Sequence, residues 1–425
     1  MRKIHHSNFA ETVYVHRLKN GMEVHVLPKE DPCYSTYVEL SVPFGGLHLS
    51  YRVDGIDHRF PEGIAHFFEH KIFAMPEGDA FSKFSQWGAD ANAMTSFDQT
   101  SYVFQTTEHV LDCLEHVLNM VDTPYFTDQN IEQEKSIIAE ELKMYLDDPH
   151  TQMQNHLMEN MYHVHPLKYD IGGTLESIQT INQQMLLDVF NFFYQPKNRL
   201  LVIAGKVDLL QLKTFLKAYD HRTDKPCFPI PRLLVQKEPR KIVKKHEEKV
   251  TDYGMDRLMM GVKLGYKKRQ PKDQIKRELA ISMLLNMLLG ASSPTFQSLL
   301  NEQLINQSFY VSTQFEKGAE AFYLYAETNK IRKLKKRLMD VLFKDRSDWI
   351  NEDDFIRYKK VYLGQFIFAL NSQDVKAYLY GKYHHQGVEL FEVVHILSSI
   401  TYSDVWAIMT EIKKTYCSTL VYKKA

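Results

Sequence analysis

One short stretch, residues 63–73, constrains this chain more than any other because it contains the pattern H-x-x-E-H. On a helix, residues at i and i+4 lie on one face, so His66 and His70 can direct ring nitrogens at one metal ion. Glu69 lies at the flank of that face, where it can reach a water beside the metal. The residues on the opposite side are mostly apolar and can seat the helix in a core, namely Ile64, Phe67, Phe68 and Ile72.

Two histidines and a flanking acid form a zinc site only if a third protein ligand exists and one position stays open. A second predicted helix, from about residue 127 to 146, offers candidates. Glu134 and Glu141 fall inside its apolar stripe, whose members are Ile131, Ile137, Ile138, Leu142, Met144 and Tyr145. A carboxylate among buried apolar residues is costly unless it is paired or bound to metal. The pattern therefore favours Glu141 or Glu134 as the third ligand, and argues against Glu140.

Length and composition set outer limits. With 425 residues, of which 44% are hydrophobic and 25% charged, the chain is long enough for two or more soluble domains. With a formal net charge of -1, the chain as a whole carries no net positive charge that would attract nucleic acid or an anionic membrane. The N-terminus has no signal-peptide pattern, and no uninterrupted apolar run approaches the length of a membrane span. The cysteines are scattered without a C-x-x-C pair, which predicts reduced thiols in a cytoplasmic protein: Cys33, Cys113, Cys227 and Cys417.

Strand and helix patterns divide the chain into two halves. Asn20-Gly21 predicts the turn of an N-terminal hairpin, and residues 95–105 are expected to form an edge or half-exposed strand. A Pro-containing, highly charged stretch over residues 219–249 predicts a linker between domains at 1–218 and 250–425. The order of elements after the linker loosely echoes the first half, which makes an internal duplication plausible.

These features together resemble the M16 (pitrilysin-type) zinc metallopeptidases, whose inverted motif is H-x-x-E-H. Residues 63–70 reproduce the family's G-x-A-H-F-x-E-H form, and the resemblance covers nearly the whole chain. It implies an α+β fold of two similar α/β domains, each a mainly antiparallel sheet with helices packed on one face, forming half of a clamshell. It also implies a zinc endopeptidase whose ligands are His66, His70 and Glu141, with Glu69 and Glu134 as catalytic residues.

The resemblance further implies where an extended substrate binds and which groups a partner chain supplies. The family's edge strand, which pairs with an extended peptide, corresponds to Asn92, Ala93 and Thr95. Active members receive an arginine and a tyrosine seven residues apart from the second half or a partner. Leu300 and Gln307 stand at that place here, and neither stabilises an oxyanion. We therefore expect a heterodimer with a motif-lacking sister, although a homodimer, a non-catalytic assembly subunit and a maturation protease for a bacteriocin or pheromone precursor stay open.

Simpler interpretations compete with several of these assignments. H-x-x-E-H by itself is most often a solvated helix face. An acid in an apolar stripe, such as Glu134, also arises from pairing with a lysine or arginine. Asn92 lies in a stretch that is turn-prone in any case. Adjacent histidines do not share a helix face, so the pairs His5-His6 and His384-His385 are expected to be solvent-exposed rather than ligands.

Overall fold

The computed structural model describes residues 1–30, 34–222, 228–229, 231–344 and 350–425. The chain divides into two compact units whose segments alternate along the sequence. The first unit comprises Met1–Lys143, Asp170–Leu234 and Ala369–Phe391, and the second comprises Met144–Tyr169, Val235–Phe368 and Glu392–Ala425. Each unit therefore includes a segment that comes from the other half of the sequence. Within the predicted linker, residues 223–227 and 230 lie outside the described residues.

The strands of the described chain, numbered in order, are β1 Arg2–His6, β2 Glu11–Arg17, β3 Glu23–Pro28, β4 Thr36–Val42, β5 Ser50–Val53, β6 Ile56–Arg59, β7 Ala74–Met75, β8 Gly78–Asp79, β9 Asp90–Thr95, β10 Thr100–Thr106, β11 Leu200–Gly205, β12 Arg232–Leu233, β13 His246–Thr251, β14 Arg257–Lys263, β15 Tyr310–Glu316, β16 Ala319–Glu327 and β17 Cys417–Lys424.

The α-helices are α1 Ile64–Ile72, α2 Phe81–Gln86, α3 Val110–Asp122, α4 Asp128–Asp147, α5 Pro149–Met161, α6 Leu175–Gln179, α7 Gln183–Phe193, α8 Leu209–Arg222, α9 Pro271–Leu289, α10 Pro294–Asn301, α11 Ile331–Phe343, α12 Glu352–Ala369, α13 Gln373–His385, α14 Glu392–Ser399 and α15 Tyr402–Glu411.

The first unit is built on a seven-stranded sheet in the order β1-β2-β3-β11-β4-β10-β9. Only β3 and β11 pair in parallel; the other neighbours in this sheet are antiparallel. The predicted Asn20-Gly21 turn joins β2 to β3, and Gly21 adopts a φ of 94°, a conformation that glycine reaches without steric cost. β9 lies at one end of the sheet and pairs with β10 alone within the described chain.

The two faces of this sheet differ in chemistry. On one face, Tyr102 and Phe104 of β10 pack against Phe73, just after α1, and Phe84 of α2. On the other face, the hydroxyl of Ser101 donates to the buried carboxyl of Glu39 at 2.7 Å. α13 covers this polar face, so that a Cβ added at Gly381 would lie 3.4 Å from the Ser41 hydroxyl oxygen. Alternating side chains along each strand therefore separate an apolar core from a buried polar layer.

The second unit contains a five-stranded sheet in the order β13-β17-β14-β16-β15, whose only parallel pair is β13 with β17. The same order and directions are found in β3-β11-β4-β10-β9 of the first unit. This match confirms the prediction of two similar, mainly antiparallel α/β domains. β13 begins within the charged stretch at residues 219–249 and continues to Thr251, with its backbone paired to β17 in the sheet.

The segment Pro271–Asn301, which spans α9 and α10, is long and apolar enough to cross a membrane by length and composition, with a mean hydropathy of 1.4 over an 18-residue window. Half of that window is buried within the protein. Ile281, Leu284 and Leu288 of α9 belong to the hydrophobic core of the second unit. A core helix passes the same test of length and composition, so the apolar face of α9 is accounted for by packing.

Three local predictions were wrong. Residues 95–105 do not form one exposed strand: the edge strand ends at Thr95, and β10 is a largely buried interior strand. Ser101 bonds to Glu39 on the face beneath α13, and Tyr102 and Phe104 pack in the core on the other face. The buried stripe of α4 is narrower than expected, so three of its predicted core members are exposed, namely Ile137, Met144 and Tyr145. His384 and His385 are half-buried rather than solvent-exposed because α13 lies against the sheet.

Candidate metal centre

α1 carries the H-x-x-E-H motif and begins at a position that only glycine fills easily. Gly63 precedes the helix with a φ of 89°, and a Cβ added there would lie 2.5 Å from the carbonyl oxygen of Gly172. The predicted apolar face is buried to 1% exposure or less at Ile64, Phe67, Phe68 and Ile72. The helix is therefore fixed in rotation, which directs His66 and His70 away from the core toward α4.

The structure brings together the three residues that the sequence nominates as ligands. His66 Nε2 lies 3.8 Å from one carboxylate oxygen of Glu141, and His70 Nε2 lies 3.5 Å from the other. One potential ligand atom from each residue lies within 4.8 Å of the other two. In a tetrahedral zinc site with bonds of about 2.0–2.1 Å, ligand atoms are about 3.3–3.4 Å apart. The trio therefore needs only small side-chain adjustments to hold a zinc ion.

Glu134 lies beside this trio rather than in it. One of its carboxylate oxygens lies 3.1 Å from His70 Nδ1, and the other accepts a hydrogen bond of 3.2 Å from the ammonium of Lys71. With Nδ1–H donating to Glu134, His70 Nε2 carries a free lone pair directed at the centre of the trio. Of the two acids that the sequence left open, Glu141 therefore has the position of a ligand and Glu134 that of its hydrogen-bonded companion.

Glu69 is buried and is held by one strong contact. The hydroxyl of Thr95, the last residue of β9, donates to a carboxylate oxygen of Glu69 at 2.8 Å. Burial raises the pKa of Glu69, and the Thr95 hydrogen bond and His70 partly oppose that shift. A carboxyl whose pKa is raised toward neutrality is suited to accept a proton and to return it.

Burial and neighbouring charges shift the pKa values of the two histidines in opposite directions. Burial and the neighbouring His70 lower the pKa of His66. Burial by itself would lower the pKa of His70, but the hydrogen bond to Glu134 and the charges of Glu69 and Glu141 raise it. Burial likewise opposes ionisation of Glu134, yet His70 and Lys71 together lower its pKa. The site thus gathers three carboxyl groups around two imidazoles, a donor set suited to a divalent cation.

The predicted substrate strand is the open edge of the sheet. Asn92 and Ala93 lie opposite Val103 and Tyr102 of β10, which leaves the other side of β9 without a strand in the described chain. Asn92 is exposed, and its side-chain oxygen accepts from the Ala93 N–H at 2.8 Å. The competing interpretation of a turn at Asn92 does not hold, since Asp90–Thr95 is a continuous strand. Through Thr95 this edge is joined directly to Glu69.

Two contributors to the site were missed by sequence reasoning. Lys71 is 2% exposed and neutralises Glu134, a role that its place within the motif helix could have indicated. The Gly172-Gly173 loop packs beneath the start of α1, where a Cβ at Gly172 would lie 2.9 Å from Leu142 and 3.8 Å from His66 Nδ1. A Gly-Gly pair is visible in the sequence, but nothing there shows which helix it contacts.

Leu300 and Gln307, which the sequence resemblance predicts to stand at the place of the family's arginine and tyrosine, belong to the second unit. Leu300 lies on α10 and is 41% exposed, and Gln307 is exposed in the segment before β15. Neither residue offers a cation or a phenol.

Comparisons with known proteins place the chain in a family. The family model described as Insulinase (Peptidase family M16) matches residues 57–175, and the model described as Peptidase M16 inactive domain matches residues 180–362. The zinc protease YmfH of Bacillus subtilis, described as uncharacterized, is 32% identical over 97% of this chain and 96% of its own length. The chain belongs to peptidase family M16. The predicted resemblance is thereby confirmed.

Other M16 proteins are similar to this chain over nearly its whole length. The zinc protease PqqE of Helicobacter pylori is 25% identical over 96% of this chain and 91% of its own. The crystal structure of an M16-like peptidase from Alicyclobacillus acidocaldarius superposes with a TM-score of 0.92 and 28% identity, covering 98% of this chain and 99% of that one. Both M16 units of the present chain therefore have counterparts in a solved structure. Membership of the family supports a peptidase role for this chain.

Proposed function

We propose that this chain is a zinc-dependent endopeptidase. The single observation that carries the proposal is the convergence of His66, His70 and Glu141, whose ligand atoms lie within 4.8 Å of one another. Relatives named zinc proteases and membership of family M16 support zinc as the ion. His66 and His70 would bind it through Nε2 and Glu141 through its carboxylate, leaving one position for water and substrate.

Zn²⁺, when bound, supplies a Lewis acid that polarises the scissile carbonyl and lowers the pKa of a water. Glu69 removes the proton from the attacking water and delivers it to the amine of the leaving peptide, so that one carboxyl serves as base and then as acid. Thr95 holds the Glu69 carboxylate in place by its hydrogen bond. Glu134 fixes the orientation of the His70 ring through Nδ1.

The substrate in this proposal is an extended peptide that adds to the open edge of β9. Backbone hydrogen bonds from β9 would align the chain with Asn92, Ala93 and Thr95, so that peptide shape matters more than side-chain identity. Because Thr95 contacts Glu69, a strand added along this edge would pass next to the general base. We expect peptides and short unfolded segments, enclosed in a chamber completed by a partner, to be cleaved.

The partner proposed is a motif-lacking M16 sister chain in the same cytoplasmic compartment. Leu300 and Gln307 supply neither a positive charge nor a phenol to stabilise an oxyanion. A sister that carries an arginine and a tyrosine at the equivalent positions would complete the site. A homodimer would leave those groups missing, and it is therefore the less favoured assembly.

The experiment is peptide cleavage by the zinc-loaded chain, alone and mixed with a motif-lacking M16 chain from the same organism, with a quenched fluorescent peptide pool as substrate. Glu69→Gln keeps the shape and loses the base, so it should retain zinc and lower kcat/KM by at least about 10²-fold. Glu140→Gln, which neutralises an exposed carboxylate on α4, is the matched control and should cleave as wild type. Loss of zinc from Glu69→Gln would instead assign Glu69 a structural role.

The same assay separates the alternatives. Cleavage that rises at least about tenfold on addition of the sister supports the heterodimer, because the sister would contribute groups used only in the transition state. Full activity of the chain alone would refute it. Zinc binding without turnover in either arm would indicate a non-catalytic assembly subunit. Cleavage confined to one precursor peptide, with the pool untouched, would indicate a dedicated maturation protease.

A further inference from the structure

A second group of metal-ligating side chains lies on the polar face of the first sheet. Glu23 and His25 stand two residues apart on β3, so both side chains point to the same face. α13 lies over that face and brings His384, near its C-terminal end, to them. None of these residues belongs to the H-x-x-E-H site, and all three lie within the first unit.

The spacing of this group resembles that of the motif trio. His25 Nε2 lies 3.3 Å and His384 Nε2 lies 3.5 Å from the same carboxylate oxygen, Oε2 of Glu23. One potential ligand atom from each residue lies within 4.8 Å of the other two. Ligand atoms in tetrahedral zinc sites are about 3.3–3.4 Å apart, so both measured edges lie within about 0.2 Å of that spacing. The corresponding edges in the motif trio are 3.8 and 3.5 Å.

The contacts of His25 provide a second, independent observation. His25 is 5% exposed, and its Nδ1 lies 2.8 Å from the hydroxyl oxygen of Tyr380 on α13. Its Nε2 is buried and has no hydrogen-bond partner within the described chain, although it faces the carboxylate of Glu23. A buried ring nitrogen without a hydrogen bond is unfavourable unless something else satisfies it. Metal-ligating histidines typically have this arrangement, with one nitrogen bonded to the protein and the other on the ion.

We propose that Glu23, His25 and His384 form a second metal site that binds a divalent transition metal ion, with Zn²⁺ as its occupant. Two imidazoles and one carboxylate are ligands that zinc accepts. The Glu23 and His384 side chains are 34% and 35% exposed, so water can reach the fourth position from solvent. The ion would join β3, near the start of the chain, to α13, near its end.

The role of this site is structural. α13 is the segment that the first unit receives from the C-terminal half of the sequence. A bond through the metal would hold the end of α13 on the sheet and would restrict the unfolded chain by closing a long loop. His385, the next residue, makes a separate 2.8 Å contact with Ser41 and is not a ligand. The proposal does not depend on peptidase activity, so the two can fail separately.

The test is a count of bound zinc in a chain whose motif site has been removed. Wild type, dialysed with Zn²⁺ and then against buffer, should hold about two equivalents per chain. The double variant His66→Ala/His70→Ala should hold about one, and adding His384→Ala should leave none. His109→Ala in the same double variant is the matched control, since His109 is 50% exposed and contacts Asp112 instead. It should keep the remaining equivalent.

Two further measurements distinguish loss of the metal site from loss of folding. Each variant is checked by circular dichroism, and Glu23→Gln replaces His384→Ala if the latter does not fold, because it removes a half-exposed ligand with little change in shape. Co²⁺ added to the double variant should give the visible absorption of a four-coordinate ion, which His384→Ala abolishes. A folded double variant that binds no metal overturns the proposal. So does zinc that persists after loss of His384, or that His109→Ala also removes.

Discussion

The hydrogen bond between Glu134 and Lys71 leads to a prediction about two quantities that can be measured separately, the free energy of unfolding and the affinity for zinc. Glu134 contacts His70 through one oxygen and Lys71 through the other, and the side chains of Glu134 and Lys71 are 13% and 3% exposed. Glu134→Gln removes the charge while keeping an oxygen that can still accept from His70 Nδ1–H. The variant should therefore perturb Lys71 strongly and His70 weakly.

The magnitudes follow from burial. A buried ammonium that loses its carboxylate partner typically lowers the free energy of unfolding by about 3–5 kcal/mol, and we expect about 3 because the Glu134 side chain retains some exposure. Loss of a carboxylate that orients a metal-binding histidine weakens zinc binding by about 10–100-fold, and the retained amide oxygen places Glu134→Gln near the lower limit. About tenfold corresponds to about 1.4 kcal/mol of zinc-binding free energy.

A double-mutant cycle separates the two effects. Lys71→Met should leave zinc affinity close to that of wild type, since the carboxylate of Glu134 still accepts from His70. Glu134→Gln/Lys71→Met should recover most of the lost stability, because a neutral apolar replacement of a buried ion pair is well tolerated. Its zinc affinity should remain about tenfold reduced. Unfolding is measured on metal-free protein with urea, and zinc affinity by competition with a chromophoric chelator.

Two results would refute this reasoning. If the double variant regained wild-type zinc affinity, Glu134 would act on the metal through the charge of Lys71 and not through the His70 ring. If Glu134→Gln unfolded at the same urea concentration as wild type, the buried ammonium would not depend on Glu134 for its stabilisation.

Three further predictions concern Glu39, Thr95 and Gly63 of the first unit. Burial raises the pKa of Glu39 from 4.5 to about 7. The stability that it contributes is therefore complete below about pH 4.5 and is lost as pH rises through 7. Because burial lowers the pKa of His25 and of His385 to about 4, these groups change stability in the opposite direction over the same range. The quantity to measure by urea unfolding is therefore the difference in the free energy of unfolding between wild type and Glu39→Gln, which should fall by about 3 kcal/mol between pH 4 and pH 8. Thr95→Val removes the donor to Glu69, so the acidic limb of the kcat/KM–pH profile should move to higher pH with zinc content unchanged. Gly63→Ala, which would place its Cβ 2.5 Å from a carbonyl oxygen, should reduce stability by at least about 2 kcal/mol; Gly55→Ala, with φ 83° and open space, should lose about 1.

The sequence alone located the residues of the candidate metal centre because their pattern is local. The spacing of His66 and His70 on one helix, and of Glu134 and Glu141 on another, follows from 3.6 residues per turn. The roles of the two glutamates could not be separated by that periodicity. Their separation depends on which carboxylate reaches Nε2 and which reaches Nδ1, and this is fixed by how α4 packs against α1.

The errors have a common physical origin in long-range packing. β10 reads as half-exposed because Thr100, Ser101 and Gln105 are polar, yet Thr100 and Ser101 are both buried. α13 covers the face that carries Ser101, and on the opposite face the Thr100 hydroxyl donates to the carbonyl of Phe44. His384 was expected in solvent because an adjacent histidine cannot share its helix face. Its neighbours come from β3, at the opposite end of the sequence, and no local pattern indicates that contact.

The interleaving of the two units bears on how the chain is made. A ribosome finishes the residues around His66 and Glu141 long before it reaches residues 369–391, which the first unit needs to cover its polar sheet face. During synthesis the ionisable side chains of that face, including Glu39, are open to water and to other proteins. A fragment ending near residue 234 would keep that surface permanently bare. Cutting the gene between its two halves would therefore yield two incomplete bodies rather than two separable domains.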